Sequence, residues 1–278
     1  MENELLFRLS AFFGVLLCMA LLEQLIPRRK LIAPKPARWF ANLVIVAINT
    51  VAVRLLIPIT AIAAATLAET HGWGLLNLIE LHALPALIVS IVLLDLAIYA
   101  QHVLFHAVPI LWRLHMVHHA DHDIDVTTGL RFHPIEIILS MLLKIVVVMT
   151  IGAPAAAVLL FEIILNGMAM FNHANIRLPS KLDRLLRLLL VTPDMHRVHH
   201  SETRYETNSN YGFNLSVWDR IFGTYRAQPE LGHTAMHIGL TQFREANTHT
   251  LRWMLSAPFV ANIGTYPILN KAEDTEHG

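Results

Sequence analysis

Seventeen histidines stand in a chain of 278 residues that is 55% hydrophobic and only 15% charged. An imidazole is costly to bury unless a partner takes its lone pair or its N–H, so their placement in so apolar a chain is informative. Nine fall into four groups: His102 and His106; His115, His118 and His119; His173; and His196, His199 and His200. Spacings of three and four residues stack side chains on one helix face, so each multi-histidine group can aim its rings at one point. Chance predicts roughly 0.06 copies of H-x-x-H-H at this histidine content, yet two are present, at 115–119 and 196–200. Imidazole suits zinc, copper, iron and nickel; nine are too many for one tetrahedral zinc and enough for two ions of higher coordination. Soluble di-iron bundles use paired Glu-x-x-His motifs, and that spacing occurs once here, Glu230 to His233. The pattern therefore predicts an all-histidine two-metal site. His71, His82, His233, His237, His249 and His277 are isolated and read as packed or surface residues. His122, between Asp121 and Asp123, reads as solvent-facing.

The elements that must position these groups read as an all-α integral membrane bundle. A span of about 20 apolar residues crosses the hydrocarbon, and the candidates are 9–26, 41–65, 85–111, and a hairpin of 134–151 and 153–171 broken at Gly152 and Pro154. The first run follows Glu2 and Glu4 and has no basic leader, so it reads as a retained span and not a cleaved signal. Cys18 lies within it as a small hydrophobe. The segment 28–38 carries five Lys or Arg and 67–84 carries none, which puts the basic segment in the cytoplasm. Counting crossings from there brings all nine histidines to the cytoplasmic face, in a helical cap that includes interfacial pieces at 183–191 and 251–260. The expected division is 1–84 for the N-terminal spans, 85–226 for the catalytic domain and 227–278 for an interfacial segment and tail. Charges within the spans need partners, and matching depths predict the pairs Arg54 with Asp95 and Lys144 with Glu162. Zero net charge and the lack of a long basic block exclude a nucleic-acid partner.

The order H-x-x-x-H, H-x-x-H-H and a later H-x-x-H-H resembles the fatty acid hydroxylase and sterol desaturase superfamily. The stretches HVLFHAVPILWRLHMVHHADHDIDVTTGLRFHPIE, FNHANIRLP, DMHRVHHS and NYGFNLSVWDRIFGTY carry the resemblance, over about Asp95 to Tyr225. It implies a cytoplasmic non-haem di-iron centre held by His102, His106, His115, His118, His119, His173, His196, His199 and His200, with O2 as co-substrate and electrons from outside. The chain departs from many members at Val103 and Ala169, where they carry Arg and a further histidine.

Around these positions, Asp95 is seven residues before His102 on one helix face with Tyr99 between, which suits a carboxylate orienting a ligand ring. This competes with the Arg54 pairing. His133, at the mouth of the hairpin, is a candidate for orienting a ligand or facing substrate and, behind these, for a direct ligand, and Asn172 can offer its carbonyl oxygen through a water near His173. The block Trp218 to Gly223 reads as packing or docking of the cap. The expected reaction is oxidation of a lipid C–H bond, by hydroxylation in preference to desaturation; a non-catalytic zinc protein is the alternative of a different class. The sequence has no ferredoxin cysteines, haem motif or Gly-rich dinucleotide loop. A separate partner, a ferredoxin, rubredoxin or haem cytochrome with its reductase, is therefore expected to supply electrons.

Overall fold

An apolar run in hydrocarbon must satisfy its backbone within itself, and a helix does so residue by residue. The computed structural model describes residues 4–79 and 81–269; Glu2, Glu80 and His277 lie outside them. Among the described residues the regular elements are all helical, with three isolated β-bridges between loops. In chain order they are α1 (Glu4–Leu25), α2 (Lys35–Leu56), α3 (Ala61–His71), α4 (Leu75–Leu78), α5 (Ala83–Ala107), α6 (Pro109–His119), α7 (Pro134–Ile151), α8 (Ala155–His173), α9 (Ser180–Leu186), α10 (Pro193–His199), α11 (Arg204–Thr207), α12 (Val217–Ile221), α13 (Gly232–Ala235) and α14 (Leu251–Val260). Among the described residues, five segments are long and apolar enough to cross a membrane: α1, the stretch Lys35–Leu78, α5, α7 and α8. The chain is a multi-pass membrane protein.

Proline placement moved two of the expected boundaries. The run expected over 41–65 is interrupted at 57–60 around Pro58; Ile57 closes α2 through its N–H to Val53, and the Thr60 hydroxyl accepts from Ala63 N–H to start α3. The run expected to reach 111 stops at Ala107, because Pro109 cannot continue the ladder and instead opens α6. The hairpin falls where expected. Gly152 closes α7 in the left-handed region (φ 73°), and Gly74 packs so closely on Gly152 that a side chain at Gly74 would strike its backbone. The piece expected over 183–191 is helical only at 180–186, and α14 matches its expected range.

Of the two ion pairs expected within the spans, Lys144 Nζ lies 2.8 Å from Glu162 Oε1, and Arg8 joins from α1 with Nη2 2.6 Å from Oε2. The other is not formed. Arg54 is exposed, and Asp95 instead accepts from the Asn214 and Leu215 N–H groups and from Trp218 Nε1 at 2.8 Å. The basic segment is also less free than its charge suggests. Arg28 binds Asp194, Arg29 donates to the Met236 carbonyl, and Arg38 is fully buried between Asp121 and Asp125.

An apolar core of α3, α5, α7 and α8, with Leu94, Ile145, Val148 and Phe161, fills the half of the bundle near Gly152. A second core, with Trp112, Met116, Phe243, Met254 and Tyr266, seals the cap onto Ala41 and Ile45 of α2. Between the two cores lies the polar layer.

Candidate metal centre

The layer is assembled from helix ends. His102 and His106 sit one turn apart near the end of α5, and the break at Val108 and Pro109 folds α6 back so that His115 and His119 meet them. The Nε2 atoms of His102 and His115 are 3.1 Å apart, as are those of His106 and His119. His173 is the last residue of α8, and α10 carries His196 and His199 with His200 closing it. Gly129 allows its 3-10 turn to lie directly on Ala169 and the His173 ring, where a Cβ would be only 3.1 Å from His173 Nδ1. All nine rings are buried.

Their orientation is consistent. Nδ1 faces outward to an acceptor in six cases: Tyr211 O for His102, Asn208 Oδ1 for His106, Glu136 Oε1 for His115, Arg131 O for His118, Ala169 O for His173 and Ser209 O for His199. A neutral imidazole has a single N–H. When Nδ1 donates outward, Nε2 carries a lone pair, and these lone pairs face one another. His173 Nε2 lies 3.0 Å from those of His118 and His196, and His199 Nε2 lies 3.0 Å from that of His102. Such contacts are repulsive unless a cation sits among them. Ligands about 2.1 Å from an ion and at right angles would be about 3.0 Å apart, so the donor set fits metal. Burial pushes the His115 ring down to about 3, and burial with neighbouring imidazoles holds His118, His119, His196, His199 and His200 well below the ordinary range. Burial thus favours the neutral form of these six rings, the form that ligation requires.

The nine divide into two groups: His102, His106, His115, His119 and His199, and His118, His173, His196 and His200. Within each, the potential ligand atoms lie within 4.8 Å of one another. Residues 87–224, which contain every one of these histidines, match the fatty acid hydroxylase family. That stretch, just under half of this chain, is a fatty acid hydroxylase domain. It is 31% identical over 154 residues to ornithine lipid hydroxylase OlsE of Rhizobium tropici, covering 55% of this chain and 45% of that one. It is 33% identical over 139 residues to the human alkylglycerol monooxygenase, covering 49% and 29%, and 34% identical over 136 residues to that of Xenopus tropicalis, again covering 49% and 29%. The matches thus span less than half the length of these relatives. No solved structure matches the chain. Fatty acid hydroxylases are metal-dependent oxygenases, in keeping with the two histidine groups.

The remaining expected site residues of this fatty acid hydroxylase domain play indirect parts. Asp95 touches none of the nine rings; with Asp219, whose carboxylate accepts from the Tyr211 and Gly212 N–H groups, it pins the loop whose Tyr211 carbonyl receives His102 Nδ1. The 218–223 block, expected to pack or dock the cap, supplies that brace through Trp218 and Asp219. Tyr99 shares a hydrogen bond with Thr224 and packs edge-on against Tyr211. Asn172 donates to the Phe213 carbonyl and leaves its buried Oδ1 without a protein partner. His133 stands apart from both groups: its Nδ1 accepts from Ile135 N–H to cap α7, and its Nε2 faces Leu255 O. His122 is half-buried against the Phe243 carbonyl, not solvent-facing. His233, read as isolated, is buried with Nε2 3.6 Å from Asp194.

Glu136 escaped the sequence reading. Its Oε1 is 2.7 Å from His115 Nδ1, reaching it from the first turn of α7. Asn208, whose Nδ2 donates to Tyr266 O and so fixes Oδ1 towards His106, was likewise missed. A lone carboxylate at the mouth of a span was the available signal for Glu136; nothing local marks Asn208.

Proposed function

We propose that this chain is a membrane-bound non-haem di-iron oxygenase that hydroxylates a C–H bond of a lipid, with O2 as co-substrate. The observation that carries the reading is the meeting of nine buried imidazoles whose Nε2 atoms face one another in two groups. His102, His106, His115, His119 and His199 would hold one iron, and His118, His173, His196 and His200 the other. Bound and reduced, the pair supplies oxygen activation and an oxidant for an unactivated C–H bond. The chain's own residues orient and enclose. Glu136, Asn208 and the carbonyls of Tyr211, Arg131, Ala169 and Ser209 each hold an imidazole N–H, fixing its tautomer and raising its basicity. Phe132, stacked on His118 at 4.4 Å, and Trp112, 4.9 Å from His106, exclude water from the rings.

The relatives are named as a hydroxylase and monooxygenases, which favours oxygen insertion over desaturation, and both act on amphiphilic lipids. A membrane lipid with a polar head and an alkyl chain is the substrate class that fits. The basic segment at 28–38 lies on the histidine side, which supports a cytoplasmic centre, in a bacterial inner membrane. Electrons come from a separate ferredoxin, rubredoxin or haem cytochrome with its reductase.

The test combines metal analysis with lipid analysis. Protein purified without added zinc should hold two irons per chain, and cells making it should gain a lipid heavier by one oxygen atom. His118→Ala and His199→Ala, one from each group, should each abolish the product. Stoichiometric zinc, with no oxygen-dependent product from an iron-loaded sample, would overturn the reading.

A further inference from the structure

The last of the nine histidines is His200, yet residues 263–269, well beyond the 87–224 stretch that matches the fatty acid hydroxylase family, return to the centre. Helix α5 ends at Ala107, so its last carbonyls have no partner within the helix, and Pro109 has no N–H to offer. Ile268 and Leu269 fill the gap: their N–H groups donate to the His106 and Ala107 carbonyls, each at 3.1 Å. Two further routes lead from this strap to the His106 ring. Tyr266 O accepts from Asn208 Nδ2 at 2.8 Å, and Asn208 Oδ1 accepts from His106 Nδ1 at 3.2 Å. The Tyr266 ring stacks on Trp112 with centroids 5.8 Å apart, and Trp112 lies 4.9 Å from His106 and 5.4 Å from His119. Trp112 also donates from Nε1 to Ile263 O at 3.0 Å. The Tyr266 hydroxyl donates to Glu202 O at 2.7 Å and accepts from Thr241 N–H at 3.1 Å, which ties the strap to the cap. His118 and His173 of the other group are held from elsewhere, by the Arg131 and Ala169 carbonyls.

An amide side chain can turn either end to a neighbour, and only its NH2 can face a carbonyl. The Tyr266 carbonyl therefore fixes which way Asn208 points, and Asn208 fixes the proton of His106 on Nδ1, leaving the Nε2 lone pair for an ion. The influence also runs back. An ion at Nε2 draws electron density from the ring and makes Nδ1–H a stronger donor, and hydrogen bonds in a chain strengthen one another. We propose that residues 263–269 are a metal-coupled strap, which positions His106 for the ion of the five-histidine group and is held down by that ion in turn. Tyr266 and Asn208 are then positioning residues. By linkage, the factor by which the ion tightens the strap equals the factor by which the strap tightens the ion. The inference rests on the proposed metal centre and not on the reaction performed there.

Hydrogen exchange and metal titration test the two directions without turnover. Full-length protein in nanodiscs is stripped of metal with a chelator and reloaded with Fe(II) in the absence of oxygen. Exchange in peptides covering 263–269 should slow by about tenfold on loading. Ile268→Pro, which deletes the N–H that reaches His106 O, should weaken one of the two irons by about tenfold and leave the other at its wild-type affinity. Ile268→Ala keeps that N–H and should lose little, and Val260→Ala, at an exposed position on α14, should change nothing. Tyr266→Phe keeps the ring on Trp112 and drops the two hydroxyl bonds, so a smaller loss at one iron is expected. It decides the matter if Ile268→Pro fails to fold and binds no iron. Exchange of 263–269 that is indifferent to iron, or a Tyr266→Phe loss that is absent or shared equally by both irons, would overturn the strap. If wild type then still holds two irons and forms oxygenated lipid, the strap falls and the oxygenase reading stands. If the strap follows the metal, zinc included, but iron-loaded wild type forms no oxygenated lipid, the strap stands and the oxygenase reading falls.

Discussion

At His115 the ring donates from Nδ1 to Glu136 over 2.7 Å, which leaves Nε2 to face His102. Glu136→Ala removes the acceptor and frees the ring to turn. Loss of such a supporting partner costs about 10–100-fold in metal affinity or activity, and iron titration of the apoprotein should show a loss in that range. Glu136→Gln keeps an acceptor oxygen and should lose less. His133 gives the contrast. It caps α7 and touches neither histidine group, so His133→Ala should keep full iron content and turnover while lowering stability by about 1 kcal/mol, read as a small drop in melting temperature. Eight of the nine rings could be singled out from three- and four-residue spacings in the sequence, and His173, which stands alone, only from the resemblance. Glu136 could not, because its partner lies 21 residues away, and the Tyr211 and Ser209 carbonyls cannot be read from residue type, since every residue has one.

At the scale of elements, two antiparallel helices joined by a tight turn must bring residues equally far from it to the same level, and Lys144 and Glu162 meet for that reason. Depth alone does not fix the direction in which a side chain points around its helix. Arg54 and Asp95 share a depth, but Asp95 turns to the cap, where two backbone N–H groups and an indole satisfy it. Arg8, near the start of α1, was invisible as a partner because nothing in the sequence says which helix covers the hairpin. Its presence makes the triad asymmetric. Lys144→Met leaves Glu162 with Arg8, whereas Glu162→Gln leaves two cations without their carboxylate. Breaking a buried pair costs about 3–5 kcal/mol, so Glu162→Gln should lower the melting temperature more than Lys144→Met. The double variant should fall short of the sum of the two, as expected for neighbours in one network; strictly additive shifts would show that the triad does not act as a unit.

For the whole molecule, the question that decides function is which side the centre faces. The fold gives two ends. One holds the histidines, the cap and the 28–38 segment; the other holds the α7–α8 turn, with Gly74 packed on Gly152. Arg28, Arg29 and Arg38 of the basic segment are engaged with cap residues in the folded state, which does not weaken the orientation argument, because the rule counts Lys and Arg near span ends and Asp and Glu contribute little to it. In a Cys18→Ser background, an exposed position at each end reports the side: Lys181→Cys on α9 and Thr70→Cys on α3. A membrane-impermeant maleimide should label Thr70→Cys in intact cells and Lys181→Cys only after permeabilisation. The reverse pattern would turn the centre outward, away from soluble ferredoxin-type donors, and would require an electron carrier within or beyond the membrane.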